Sequence, residues 1–325
     1  MHRTITAVTS LLLLTITGAV NSSVTSAATD TTPQFSKVTP APSAGSLAHW
    51  TPDRMRTARP LQPALADELS TAASAPPSTS FGPRKVDPVR ASRRSIDAGP
   101  QAHDPHYPVG HPTASTNGRL FFRRAGGYRV CSAAVIASDS RSTVWTAAEC
   151  LRTGGPAGSW ATDVVFVPNY DDTLANPRPY GTWVAAKLVV PIAWSQQAVR
   201  THNLGVVVLA PLNGQKIQDV VGAQGLQVNA GQDVWQNSFG YPGGAPLDGG
   251  NLKRCWGQTT LAATTGLLKI PCDMTLGADG GPWLHSWDQS FGYLNGINVA
   301  LGNGFVESPY FADQAWSLYT ATQGG

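Results

Sequence analysis

From Gly118 onward, short runs of β-branched and aromatic residues alternate with Gly, Asn, Asp and Pro. The runs are Leu120 to Phe122, Tyr128 to Ile136, Thr143 to Ala148, Val164 to Val167 and Trp183 to Val190. They continue with Leu204 to Leu209, Val234 to Phe239, Cys255 to Ala263, Leu267 to Ile270 and Tyr293 to Val299. About ten strands at this spacing, with no long helical pattern between them, predict an all-β fold built of barrels or a sandwich. Helical periodicity is convincing only at Ala312 to Thr320, where Ala315, Trp316 and Tyr319 share a face.

The first third of the chain has a different pattern. Met1-His2-Arg3-Thr4 precedes an apolar run, Ile5 to Val20, and small residues follow from Ser22 to Ala28. That order reads as a secretory signal peptide, residues 1–28, cut after Ala27 or Ala28. The apolar run is broken by Thr and Ser and falls short of the ~20 residues a membrane span needs. Nothing later is long and apolar enough, so no membrane partner is expected. Residues 29–117 are rich in Pro, Ala, Ser, Thr and Arg and read as a propeptide or disordered linker. Leu61 to Leu69 is long enough for a helical turn or two. Arg84-Lys85 and the Arg90 to Arg94 cluster read as processing sites. The folded domain is expected over residues 118–325.

Composition narrows the functional classes. Charged residues make up 13% of the 325, about half the roughly 25% usual for soluble domains, and glycine and proline are abundant. The net charge of +3 is scattered, with no basic helix and no aromatic RNA-binding signature, which argues against nucleic acid. The cysteines are Cys131, Cys150, Cys255 and Cys272. In an exported protein an even count implies disulfides, and four cysteines allow three connectivities. Local pairing, Cys131–Cys150 and Cys255–Cys272, closes two short loops. No Cys-x-x-Cys pair or helical histidine spacing supports a metal, and no cofactor is expected.

Three segments stand out in order: Thr146-Ala147-Ala148-Glu149-Cys150, His202-Asn203 leading into Leu204 to Leu209, and Cys272-Asp273-Met274-Thr275-Leu276-Gly277-Ala278-Asp279-Gly280-Gly281-Pro282-Trp283. Together they resemble the three triad segments of trypsin-like serine proteases, closest to the secreted bacterial glutamyl-endopeptidase-like branch. Val167-Pro168-Asn169-Tyr170, Arg178 to Trp183 and Ser238-Phe239-Gly240-Tyr241-Pro242 fit the same likeness. It covers about Gly118 to the C-terminus. It implies two six-stranded antiparallel β-barrels of trypsin-like type with a C-terminal helix and a cleft between the barrels. It also implies the two local disulfides, an oxyanion hole from the backbone N–H groups of Gly277 and Asp279, and a pocket residue at Asp273.

The likeness breaks at the reacting atoms. Where the family has its general-base histidine this chain has Glu149; where it has the orienting aspartate, Asn203; where it has the nucleophilic serine, Asp279. Acyl transfer on this scaffold needs a hydroxyl, a base and a group that orients the base. The expectation from these three positions is a secreted, monomeric, catalytically inactive protease homologue that binds a peptide or protein ligand in its cleft. Two alternatives stand beside it. One is an active endopeptidase or other hydrolase with a non-standard site, using the Glu149 and Asp279 carboxyls as an acid–base pair or a triad rescued by His202, His285, Ser132 or Ser286. The other is a structural extracellular protein.

Overall fold

The computed structural model describes residues 1–2, 34–39, 44–61, 79–91, 107–302 and 304–325. The expected signal peptide lies outside the described residues except for Met1 and His2, as does the Leu61 to Leu69 stretch except for Leu61 itself. In chain order the elements are β1 (Phe35–Val38), α1 (Ala44–His49), α2 (Pro52–Thr57), β2 (Arg59–Pro60), β3 (Arg84–Val86) and α3 (Pro112–Thr116). Then come β4 (Asn117–Arg124), β5 (Gly127–Val135), β6 (Thr143–Thr146), α4 (Ala148–Leu151), β7 (Thr162–Pro168), β8 (Trp183–Pro191), α5 (Ile192–Gln197) and β9 (Gly205–Leu209). The remainder are α6 (Ile217–Val221), β10 (Gly225–Val228), β11 (Trp235–Gly240), β12 (Lys253–Gln258), β13 (Thr260–Ala262) and β14 (Leu267–Pro271). They end with β15 (Pro282–His285), β16 (Tyr293–Ile297), β17 (Ala300–Gly302), β18 (Phe305–Ser308) and α7 (Asp313–Thr322).

Strands β4, β5, β6, β9, β8 and β7 pair antiparallel in that order, and β7 returns to β4, closing a six-stranded barrel. The two-residue period of a strand decides what fills it. Leu120 and Phe122 of β4 and Val164 and Phe166 of β7 join one core with Val144, Trp145, Leu188 and Val207. Their alternates Phe121, Val165 and Val167 join a second core, on the other face. That outer face stays dry because the preceding segment covers it. Trp50 and Met55 are buried there, Trp50 packs on Phe121 with ring centroids 5.4 Å apart, and its Nε1 donates to the Asp163 carbonyl.

The second set of strands forms two sheets. One runs β12-β11-β15-β16-β10-β3 and the other β13-β14-β18-β17. All pairings are antiparallel except β10 with β16. Between the sheets Leu268, Ile270, Met274, Trp283, Val306 and Tyr310 make a third core. Helix α7 closes the chain, sinking Ala315, Leu318 and Tyr319 into the first core. The fold is therefore mostly β, with a closed antiparallel barrel, further sheets and a C-terminal helix.

Described parts of the region before Gly118 are woven into these sheets. β1 pairs with β8, β2 with β5 and β3 with β10. Arg84 and Lys85, expected as a processing pair, thus sit inside a paired strand, where a protease meets no extended free chain. The Arg90 to Arg94 cluster lies outside the described residues beyond Ala91.

Candidate functional site

Helix α4 follows β6 after one residue, Ala147, and buries Glu149 in its first turn. The disulfide Cys131–Cys150 ties this turn to β5 across 19 residues. The Glu149 N–H donates to Asn203 Oδ1 at 2.9 Å, and the Asn203 side chain also hydrogen-bonds the Glu149 carboxyl. Asn203 is held in turn by a 3-10 turn over Arg200–His202. Glu149 and Asn203, far apart in sequence, are therefore joined at both backbone and side chain.

Asp279 sits on the glycine-rich turn between β14 and β15. Gly277 has φ +98° and Gly280 φ +81°, a left-handed backbone that side chains rarely adopt. A Cβ at Gly280 would also run into Thr146 Oγ1 and the Ser132 carbonyl. Asn298 clasps the turn from the opposite side. Its carbonyl accepts from the Gly280 N–H at 2.7 Å, its Nδ2 donates to the carbonyls of Phe239 and Ala278, and its Oδ1 accepts from Ser238 and Trp283. Ser132 on β5 completes the frame: its N–H donates to the Asp279 carbonyl at 2.7 Å, its Oγ donates to the Gly277 carbonyl and accepts from the Tyr241 N–H.

Within this frame the Gly277 N–H points at the side chain that follows it, donating to Asp279 Oδ2 at 3.0 Å. The other oxygen, Oδ1, has no hydrogen-bond partner, and neither has Glu149 Oε1. Both groups are buried, at 1% and 7% exposure. Each carboxyl is thus tethered through one oxygen and idle at the other.

The electrostatics follow from that burial. Desolvation, with the nearby Asp279 charge second, pushes the Glu149 carboxyl up to about 8, against smaller opposing effects of Asn203, Arg124 and Arg200. Desolvation pushes Asp279 up to about 6, while the backbone N–H bonds from Gly277 and Asp279 hold it down. Two carboxyls that influence each other titrate as a pair. Between those values the pair carries one proton, with Glu149 the better holder.

The other sequence candidates are placed apart from this pair. His202 is half-buried, and burial holds its imidazole below the usual range; its ring hydrogen-bonds Thr201. His285 contacts the Trp235 carbonyl at the end of β15, and Ser286 follows it at φ +50°. The Ser132 hydroxyl lies beside the turn but is engaged on both sides, as above. Asp273 lines a cavity of about 260 Å³ with Met274, Thr275, Leu276, Leu301, Gly302 and Gly304. The Cys255–Cys272 disulfide ends one residue before Asp273. Among the described residues, Cys255, Cys272 and Asp273 are the one grouping with metal-ligand spacing, but both sulfurs are spent in that disulfide.

Two contributors carry no motif in the sequence. Arg124, at the polar end of β4, donates through Nη1 to the Glu149 carbonyl and stacks on Phe122. Burial lowers its guanidinium to about 10. Asn298 is the turn's clasp, and its only signal in sequence is a polar residue inside an apolar run.

The fold has counterparts among solved structures. The chain is similar to a thermostable serine protease, AL20, from an extremophilic microorganism, at 31% identity over 65% of this chain and 98% of that one, with a TM-score of 0.61. It is similar to the protease Anisep from Arthrobacter nicotinovorans at 34% identity over 65% and 97%, also with a TM-score of 0.61. The chain belongs to the trypsin-like serine protease family. A Glu endopeptidase at 16% identity, over 67% of this chain and 95% of that one with a TM-score of 0.53, shares the fold. A scan against models of protein families finds no match, and a search of curated proteins finds none either.

Membership corrects one expectation. The three side chains at the reacting positions led to the reading that the chain is not an enzyme. Yet its likeness runs nearly end to end through two proteins that are themselves a serine protease and a protease. One set of reacting atoms does not by itself decide activity, and the family scaffold is what the chain retains nearly end to end.

Proposed function

We propose that this protein is an extracellular peptide hydrolase in which Glu149 and Asp279 act as an acid–base pair on a peptide held in the family's cleft. The observation that carries the reading is the pair of buried, idle oxygens, Glu149 Oε1 and Asp279 Oδ1. Buried polar atoms ordinarily find a partner, and two left open on tethered carboxyls, one of which feels the other's charge, suit a water molecule and a scissile carbonyl.

The chemistry balances with one proton on the pair. Asp279, ionised, takes a proton from water as the water oxygen adds to the peptide carbonyl carbon. Glu149 gives its proton to the carbonyl oxygen, producing a neutral diol. Glu149 then recovers a proton from that diol as the C–N bond breaks, and Asp279 delivers its proton to the leaving nitrogen. The pair ends as it began. The Gly277 N–H bond keeps Asp279 ionised at the start, and Arg124 and Arg200 favour the charge on Glu149 midway. General acid–base steps of this kind contribute about 10²- to 10⁴-fold in rate.

The two disulfides suit an oxidising, extracellular setting. The Asp273 cavity fits one long side chain of the substrate, and its carboxylate suits lysine or arginine.

The test is digestion of a proteome-derived peptide library by the full chain, read by mass spectrometry, beside Glu149→Gln and Asp279→Asn. Cleavage that falls by about 10²-fold or more in each variant supports the pair. Binding of peptides with no cleavage, or cleavage indifferent to both substitutions, overturns it.

A further inference from the structure

The helices that cover the outer face of the barrel are joined to each other by one pair of side chains. Helix α1 ends on His49, and Arg54 of α2 reaches back to it. Its Nη1 donates to the His49 carbonyl at 2.6 Å and lies 3.3 Å from the ring's Nδ1. A guanidinium can only donate, so Nδ1 accepts and the proton of the neutral ring sits on Nε2. That nitrogen is buried with no hydrogen-bond partner. The ring packs edge-on against Trp50, centroids 5.8 Å apart, and tilted against Tyr128 of β5 at 5.4 Å. Arg54 lies over the same Tyr128 ring. The neutral imidazole is the form this geometry accommodates. A second proton would enter at Nδ1, where a donor already points.

The charges facing the ring act in the same sense. Burial is the largest effect and disfavours the cation. Asp163 on β7 attracts it, but that carboxylate is already shared by Arg123 at 3.3 Å and Ser46 at 3.4 Å. The guanidinium groups of Arg54 on α2 and Arg123 on β4 repel it. Together they hold the His49 imidazole below its ordinary value.

We propose that the His49–Arg54 contact is an acid-labile staple for the leading segment: protonation of His49 breaks it and frees the α1–α2 cap from the barrel. What the staple holds down is apolar. Trp50 and Met55, between and beside its two residues, join Phe121 and Val165 in the outer core, and the Trp50 indole is fixed to the Asp163 carbonyl. Release uncovers that face and slackens the chain running on through Ala58 into β2. A histidine that is harder to protonate when docked contributes docking strength that is complete above its free value, about 6.5. That strength fades as pH falls through 6.5, by at most about tenfold per pH unit for one proton. The switch makes no use of the Glu149–Asp279 pair.

The test is hydrogen–deuterium exchange of the full chain between pH 8 and pH 5, corrected for the intrinsic rate at each pH. It is read by mass spectrometry on peptides spanning residues 44–57, with β6 to β9 as the reference. Protection over 44–57 is expected to be flat above about pH 7 and to fall about threefold or more by pH 5, while the reference keeps its own. His49→Asn offers an acceptor near the place of Nδ1 and does not titrate, so it is expected to stay docked and lose the dependence. Arg54→Gln, which removes no core side chain, is expected to lower protection at pH 8 and flatten the acid limb. Equal protection at pH 8 and pH 5 in the unaltered chain overturns the proposal. So does an acid loss that either variant retains in full, or one that the reference peptides share. Exchange reads docking and not cleavage, so this inference and the proposed hydrolysis fail separately.

Discussion

Glu149 and Asp279 make the most direct residue-scale predictions, because their folded carboxyls titrate above the values they have in an unfolded chain. A raised carboxyl binds its proton more tightly when folded, so its contribution to stability is full below its unfolded value and is lost as pH rises through the folded one. For this pair the loss runs from about pH 4 to about pH 8. Chemical denaturation across that range should show stability falling steadily as pH rises, with the part of the slope nearest pH 8 removed in Glu149→Gln. A slope unchanged by that substitution would place the titration elsewhere. Asp273 gives a second test. Replacing it with asparagine removes the charge that suits a cationic side chain, so kcat/KM for peptides with lysine or arginine at the cleaved position should fall at least about tenfold, with little change for neutral ones. The positions of Glu149, Asn203 and Asp279 were legible because each lies inside a run of ordered local signals. Arg124 and Asn298 were not, because what matters about them is a partner far away in the chain.

Elements were legible where alternation was strong and long. The barrel strands β4 to β9 fall close to the expected runs, since one face of each is apolar throughout. Four short strands escaped. Gly225–Val228 is too brief to show a period, Pro282–His285 begins on a proline, and Ala300–Gly302 and Phe305–Ser308 sit among glycines; tertiary pairing makes them strands. Ordered elements within residues 29–117 escaped for a related reason. Trp50 and Met55 are isolated apolar residues with no periodic company, and they are buried only because Phe121 and Val165 face outward from the barrel. Trp50→Ala should therefore cost about 3–5 kcal/mol, as for a fully packed core tryptophan, measured by urea denaturation. A value near zero would mean the segment is not docked in solution. The Cys131–Cys150 link joins β5 to the helix that carries Glu149. Its replacement by alanines should lower stability by about 3 kcal/mol on the chain-entropy account and lower peptide cleavage beyond what stability explains, because the Glu149 tether loosens.

At the scale of the whole molecule, a closed barrel and a second pair of sheets meet around one turn. The barrel contributes Glu149, Asn203, Arg124 and Ser132, and the other half contributes Asp279, Gly277 and Asn298. Neither half holds the site alone, which is why a chain of local motifs announced the fold before the chemistry. The central claim is that this assembly hydrolyses peptides with two carboxyls sharing one proton. Its most direct measurement is the pH dependence of kcat/KM on a peptide found in the library digest. The expected profile is a bell with limbs near pH 6 and pH 8, the acid limb lost in Asp279→Asn and the alkaline limb lost in Glu149→Gln. An absence of cleavage at any pH, or a profile that both substitutions leave unchanged, would contradict it.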